Sequence, residues 1–207
     1  MLNQTISRRD FLKAGGSLVV TFSLSGLVPG AGAQSAATGK TVAIDAVDGF
    51  VAIGADGSVS IYSGKVDLGT GVRTALTQIA ADELDVPFGK VKVTEGDTAL
   101  TPDQGPTYGS LSIQIGGMQI RQACATARAA LVAEAAKRLS VAPGDVTTQD
   151  GMCVAKGQRV GYHELIGNKN FQLKVDPKAT LKDPATYKVV GKSVPRLDIP
   201  AKVTGEF

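Results

Sequence analysis

From residue 50 onward the chain alternates between short stretches of period two and two longer stretches of helical period. Phe50-Val51-Ala52-Ile53-Gly54 and Ser58-Val59-Ser60-Ile61-Tyr62-Ser63 read as two strands. Ala55-Asp56-Gly57 between them has the composition of a hairpin turn. Gly64 to Gly71 forms a glycine-rich corner. Ala75, Leu76, Ile79, Ala80 and Leu84 then recur at helical spacing and predict an amphipathic helix over 72–84, stopped before Pro87. Val91 to Glu95 alternates as a strand, and Asp97 to Pro106 is a loop with its turn residues in TPDQGP. A long Ala-rich helix starts close to Thr107–Ser112 and runs to about Leu139. Gly116 and Gly117 sit early in it, where only close packing would justify their cost. After Pro143-Gly144 come three more short strands: Val146–Thr148, Met152–Ala155 and Gln158–Val160. The expected fold is α+β, with short antiparallel strands packed against two main helices.

Composition agrees with a packed domain: 43% of the 207 residues are hydrophobic and 20% charged. Aromatics are scarce and Trp is absent, so Ala, Val and Gly must pack the core finely. A net charge of +3 is too small to argue for a nucleic-acid partner. The ends of the chain change that charge. Ser7-Arg8-Arg9-Asp10-Phe11-Leu12-Lys13, a mild apolar stretch and Ala31-Gly32-Ala33 together have the layout of a twin-arginine export signal over residues 1–33. Its apolar part is too short and too rich in Gly and Ser for a membrane span. Its removal would take away Arg8, Arg9, Lys13 and Asp10 and leave a nearly neutral chain destined for the periplasm. Residues 34–48 are small and polar, as in a linker. Residues 49–167 hold the α+β region, and 168–207 read as an exposed connector running into the start of a further domain.

Gly69-Thr70-Gly71 strips side chains from a strand–helix junction, which lets something approach the backbone. It has the first two glycines of a dinucleotide fingerprint, with Glu95 in place for the acidic residue. Thr74 replaces the third glycine, however, and the preceding strand is a hairpin partner, which points to an antiparallel setting. A nucleotide unit, a plain tight turn, and a different anionic or redox cofactor lying on backbone N–H groups at a helix start all stay open. Gly109-Ser110-Leu111-Ser112 repeats the theme: two hydroxyls beside a glycine and a helix start can donate to a phosphate or a pterin, or simply cap the helix. Cys124 and Cys153 cannot hold an iron–sulfur cluster by themselves. His163, the single histidine, reads as structural.

Over GKVDLGTGVRTALTQIAADELDVPFGKVKVTEGDTALTPDQGPTYGSLSIQIGG the chain resembles the molybdopterin-binding large subunit of the xanthine dehydrogenase and aldehyde oxidase family. It is most like the exported isoquinoline 1-oxidoreductase and nicotinate dehydrogenase branch. The leader and the closing VGKSVPRLDIPAKVTGEF fit the same branch, so the resemblance spans most of the chain. It implies that Gly69, Thr70, Gly71, Gly109, Ser110 and Ser112 approach a molybdenum cofactor, in the cytosine dinucleotide form. Many relatives carry Gln where this chain has Thr70, so the backbone contacts carry over there and the side-chain contact does not. The family's catalytic glutamate lies in a glycine-rich motif near the far end of a subunit several times longer. No such motif occurs here, so the resemblance assigns no catalytic and no metal-ligating residue. It implies the N-terminal, cofactor-binding portion of a molybdenum hydroxylase or dehydrogenase of aldehydes or N-heterocycles, inactive alone, with water as oxygen source. The implied partners are the rest of the large subunit or its split counterpart, a two-cluster iron–sulfur subunit that takes the electrons, and a cytochrome c. On the residues alone, an exported binding or assembly module without chemistry of its own also stays open.

Overall fold

The computed structural model describes residues 41–167 and 169–206. The export signal expected over 1–33, and the linker up to residue 40, lie outside them. α1 (Val47–Phe50) is buried throughout, so the core begins inside the stretch expected to be linker. β1 (Val51–Ile53) and β2 (Val59–Ser63) form the hairpin, antiparallel with Val51 opposite Ile61 and Ile53 opposite Val59. Their alternation puts Val51, Ile53, Val59 and Ile61 into the core.

α2 (Val72–Leu84) follows the glycine-rich corner and leads to β3 (Val91–Glu95), which pairs with β2 in parallel, Val59 with Val91 and Ser63 with Glu95. The all-antiparallel expectation is corrected at this ladder. A helical crossover carries the chain from the carboxyl end of β2 back to its amino end, and a strand entering there runs parallel to its neighbour. β2 is therefore both a hairpin strand and the first strand of a β–α–β unit.

Ser112–Gly117 form a π-helical entry into α3 (Met118–Leu139). α3 buries Ile120, Ala123, Cys124, Ala127, Leu131 and Ala135 along one side. Gly117 lets α3 approach α2: a Cβ there would sit 3.1 Å from Ile79 Cδ1. β4 (Thr147–Gln149), β5 (Met152–Ala155) and β6 (Gln158–Gly161) make a second, antiparallel sheet of three strands. α4 (Tyr162–Ile166) follows, and Tyr162 donates its hydroxyl to the Leu84 carbonyl at the end of α2, 2.8 Å away. Cys124 and Cys153 are both buried and free, and both lie in the hydrophobic core of the described residues. The α+β architecture is thus the observed one.

The segment expected as an exposed connector is exposed over much of its length, yet it is bonded along the helices. Asp82 of α2 accepts from the N–H groups of Lys188, Val189 and Val190. Glu83, 1% exposed, takes Arg121 and Arg128 from α3 and the N–H of Lys182 from the tail. The last element, α5 (Ile199–Thr204), follows Asp198. Sequence periodicity could not reveal these bonds, because carboxylates on an amphipathic helix normally face water.

Candidate functional site

The carboxyl ends of β2 and β3 lie side by side, and the glycine-rich corner leaves from the first of them. Crevices outside the carboxyl ends of parallel strands are where such sheets offer ligand sites. Here the corner and the entry to α3 face one another across a cleft of about 370 Å³. Thr70, Gly71 and Val72 line one side, and Thr107, Tyr108, Gly109, Ser110 and Ser112 the other. Two motifs some forty residues apart in the chain thus share one cleft, with Leu68 and Tyr108 exposed at 69% and 64%. Of the six residues singled out in the sequence, Thr70, Gly71, Gly109, Ser110 and Ser112 come together there.

Gly69 does not line the cleft. Its N–H donates to Asp67 Oδ1 at 2.9 Å, and its carbonyl accepts from Arg196 Nη1 at 3.0 Å. The same Asp67 carboxylate accepts from the N–H of Gly71 (3.1 Å) and, through Oδ2, from that of Arg73 (3.2 Å). Asp67 thereby caps α2 from outside it, a task usually given to the residue next to the first turn. Burial works to raise its pKa, but the N–H groups of Arg73, Gly71, Gly69 and Thr70 outweigh that and hold it below the ordinary carboxylate range. The expectation of free backbone donors at this corner is therefore corrected. Those of Gly69, Gly71 and Arg73 are already bonded to Asp67. This also occupies donors that a dinucleotide pyrophosphate would need, although the β–α–β setting is parallel. Glu95, the acidic residue of that reading, pairs with Arg73 at 2.6 Å.

The opposite wall is different. Gly109 and Ser110 both have φ of +60°, a left-handed conformation that costs serine energy and glycine little. The N–H groups of Thr107, Tyr108, Gly109 and Ser110 have no partner among the described residues, nor do the hydroxyls of Ser110 and Ser112. The loop ahead of this wall is tied back by Gln104, 6% exposed, which accepts from Gly64 N–H (3.0 Å) and donates to the Gly116 carbonyl (3.1 Å). Gly64 has to be a glycine, because a Cβ there would lie 2.2 Å from the Pro102 carbonyl oxygen. Lys65 is 2% exposed and donates to the carbonyls of Gly105 (3.2 Å) and Pro106 (2.8 Å). Asp67, Gln104, Lys65 and Arg196 were missed in the sequence. The one available signal was the density of polar residues around the glycines. His163 lies exposed on α4, away from the cleft lining.

A protein family described as molybdopterin cofactor-binding domain matches residues 4–198. The chain is similar to one of the subunits of nicotinate dehydrogenase from Pseudomonas putida, 39% identical over 99% of this chain and 17% of that protein. It is also similar to the beta chain of isoquinoline 1-oxidoreductase from Brevundimonas diminuta, 29% identical over 97% of this chain and 31% of that protein. Among solved structures, the reconstituted CO dehydrogenase from Oligotropha carboxidovorans superposes with a TM-score of 0.52 and 28% identity, over 60% of this chain and 17% of that one. The chain thus spans less than a third of the length of each.

Proposed function

The chain belongs to the molybdopterin cofactor-binding domain family, and from that premise we propose that it supplies one wall of the cofactor site in a molybdenum-dependent oxidoreductase. The reaction we assign is hydroxylation or dehydrogenation of aldehydes or N-heterocycles, with water as oxygen source and electrons passed to a two-cluster iron–sulfur subunit and on to a cytochrome c. The observation that carries the reading is the convergence of the two glycine motifs on one cleft whose Thr107–Ser110 side presents unsatisfied N–H and hydroxyl donors.

Those residues fit such a group. Phosphate and pterin oxygens need donors, and this wall has them without a competing carboxylate among the lining residues. The cleft is at the small end of the range for ligand sites, roughly 300–1,000 Å³. It suits a portion of a large cofactor, with the rest lying against the remainder of the large subunit or its split counterpart. Ser110 and Ser112 would hold polar edges of the group, while Gly71 and Gly109 keep side chains out of its path. The bound molybdenum centre would supply the two-electron redox chemistry. The cytosine dinucleotide form belongs to the same reading. With no catalytic base assigned to it, this chain alone is expected to turn nothing over.

Metal and nucleotide analysis of the enzyme purified with its partner subunits tests this. Near-stoichiometric molybdenum and acid-released cytidine nucleotide are expected. A complex without molybdenum would sink the assignment. The periplasmic destination rests on the Arg8-Arg9 pair. Exchanging both for Lys should leave the chain in the cytoplasmic fraction, and undiminished export would rule the twin-arginine route out.

A further inference from the structure

Lys65 is buried, and none of the ion pairs among the described residues includes it. A buried ammonium without a carboxylate is costly unless something else compensates its charge. Its two recorded acceptors, the Gly105 and Pro106 carbonyls, are neutral. Both belong to the chain just ahead of the cleft wall, and Val66 N–H adds a bond to Thr107 Oγ1 at 3.2 Å. A trans peptide holds its C=O and N–H on opposite sides, and no cis peptide occurs among the described residues. With the Pro106 carbonyl turned to Lys65, the Thr107 N–H points away from it. Thr107 lines the cleft, and its N–H begins the unsatisfied run that continues to Ser110. None of the cleft-lining residues carries a charge, and Asp67 is turned into its own N–H donors.

We propose that Lys65 is the positioning residue of an anion site in this cleft. Its ammonium orients the Gly105–Thr107 peptides and stands as the fixed positive charge behind the N–H groups that receive a phosphate. The identification of that phosphate with the cofactor's rests on the function proposed above. A charge behind a protein wall is screened less than one in solvent, so it acts through the peptide without touching the ligand. The buried charge finds its counter-ion only when the anion is bound.

The test compares Lys65→Met, which removes donors and charge, with Lys65→Gln, which keeps N–H donors for the carbonyls and removes only the charge. Inorganic pyrophosphate is titrated into the full chain and each variant, with thermal melts alongside. Molybdenum per protein is measured on the assembled enzymes. Both variants should bind pyrophosphate on the order of tenfold more weakly, as loss of a weakly screened positive charge behind the anion implies, and Lys65→Gln should melt no lower than wild type. Wild-type binding by Lys65→Gln would reduce Lys65 to a hydrogen-bonding strut and overturn the proposal. So would a wild-type chain that does not bind pyrophosphate. Should Lys65→Met fail to fold, Lys65→Gln decides alone. If pyrophosphate binding falls as expected while the assembled wild-type enzyme lacks molybdenum, the anion site stands and the cofactor reading fails.

Discussion

Arg196 donates to the carbonyl of Gly69 through Nη1 at 3.0 Å, and its other two nitrogens hold the Asp198 carboxylate at 2.9 and 2.6 Å. Lys202 takes the same carboxylate at 2.7 Å, and Leu197 N–H donates to Thr74 Oγ1 at 3.1 Å. The tail therefore clamps the glycine-rich corner across more than a hundred residues of sequence. Arg196→Ala should free the corner and leave buried Asp198 with Lys202 alone. We expect a lower melting temperature and several-fold less molybdenum per assembled enzyme. Arg196→Lys, which cannot bridge both partners, should recover little. Full molybdenum content in Arg196→Ala would show that the clamp has no bearing on the cleft.

Gly71 and Gly69 separate strain from contact. Both have positive φ, +82° and +92°, so any side chain costs about 1–2 kcal/mol at either. A Cβ on Gly71 would already be in van der Waals contact with Arg196 at 3.5 Å, so the branches of a valine would crowd it, whereas a Cβ on Gly69 meets nothing within 4 Å. Gly71→Val should lose more stability in urea denaturation than Gly69→Ala and should also lose molybdenum. Equal losses in the two variants would mean that backbone strain alone sets the cost.

Ser110 holds a left-handed φ that glycine would adopt more readily. Ser110→Gly should stabilise the chain by about 1 kcal/mol while lowering cofactor retention, since a free hydroxyl is removed from the cleft. A variant that is stabilised and retains all its molybdenum would take the Ser110 side chain out of the site.

Asp67 has a depressed pKa, so its contribution to stability is present above the unfolded value of 3.8 and disappears as pH falls through the lower folded value. Asp67→Asn should therefore be less stable than the parent at neutral pH. The gap should close only in acid below about 4, the range in which a free Asp titrates. Chemical denaturation from pH 7 to pH 2 measures it. A gap that persists unchanged to pH 2 would mean that the carboxylate charge is not what holds the corner.

Period-two and helical patterns were enough to place α2 and β3 at their observed limits, because each element carries its own apolar repeat and its own punctuation in Gly and Pro. The glycines at 69, 71 and 109 and the serines at 110 and 112 also stand out by composition, and all of these but Gly69 line one cleft. Local pattern could not say that β3 would return parallel to β2, because strand direction follows from the crossover and not from the strand's own residues. Nor could it say which corner keeps its N–H groups free. That was decided when folding brought Asp67 onto the first corner and left the Thr107–Ser110 run without an acceptor. The bonds that fix the site join residues from about forty to more than a hundred positions apart, Lys65 to Pro106 and Gly69 to Arg196. Such partners are chosen by distance in space, and a linear pattern carries no record of it.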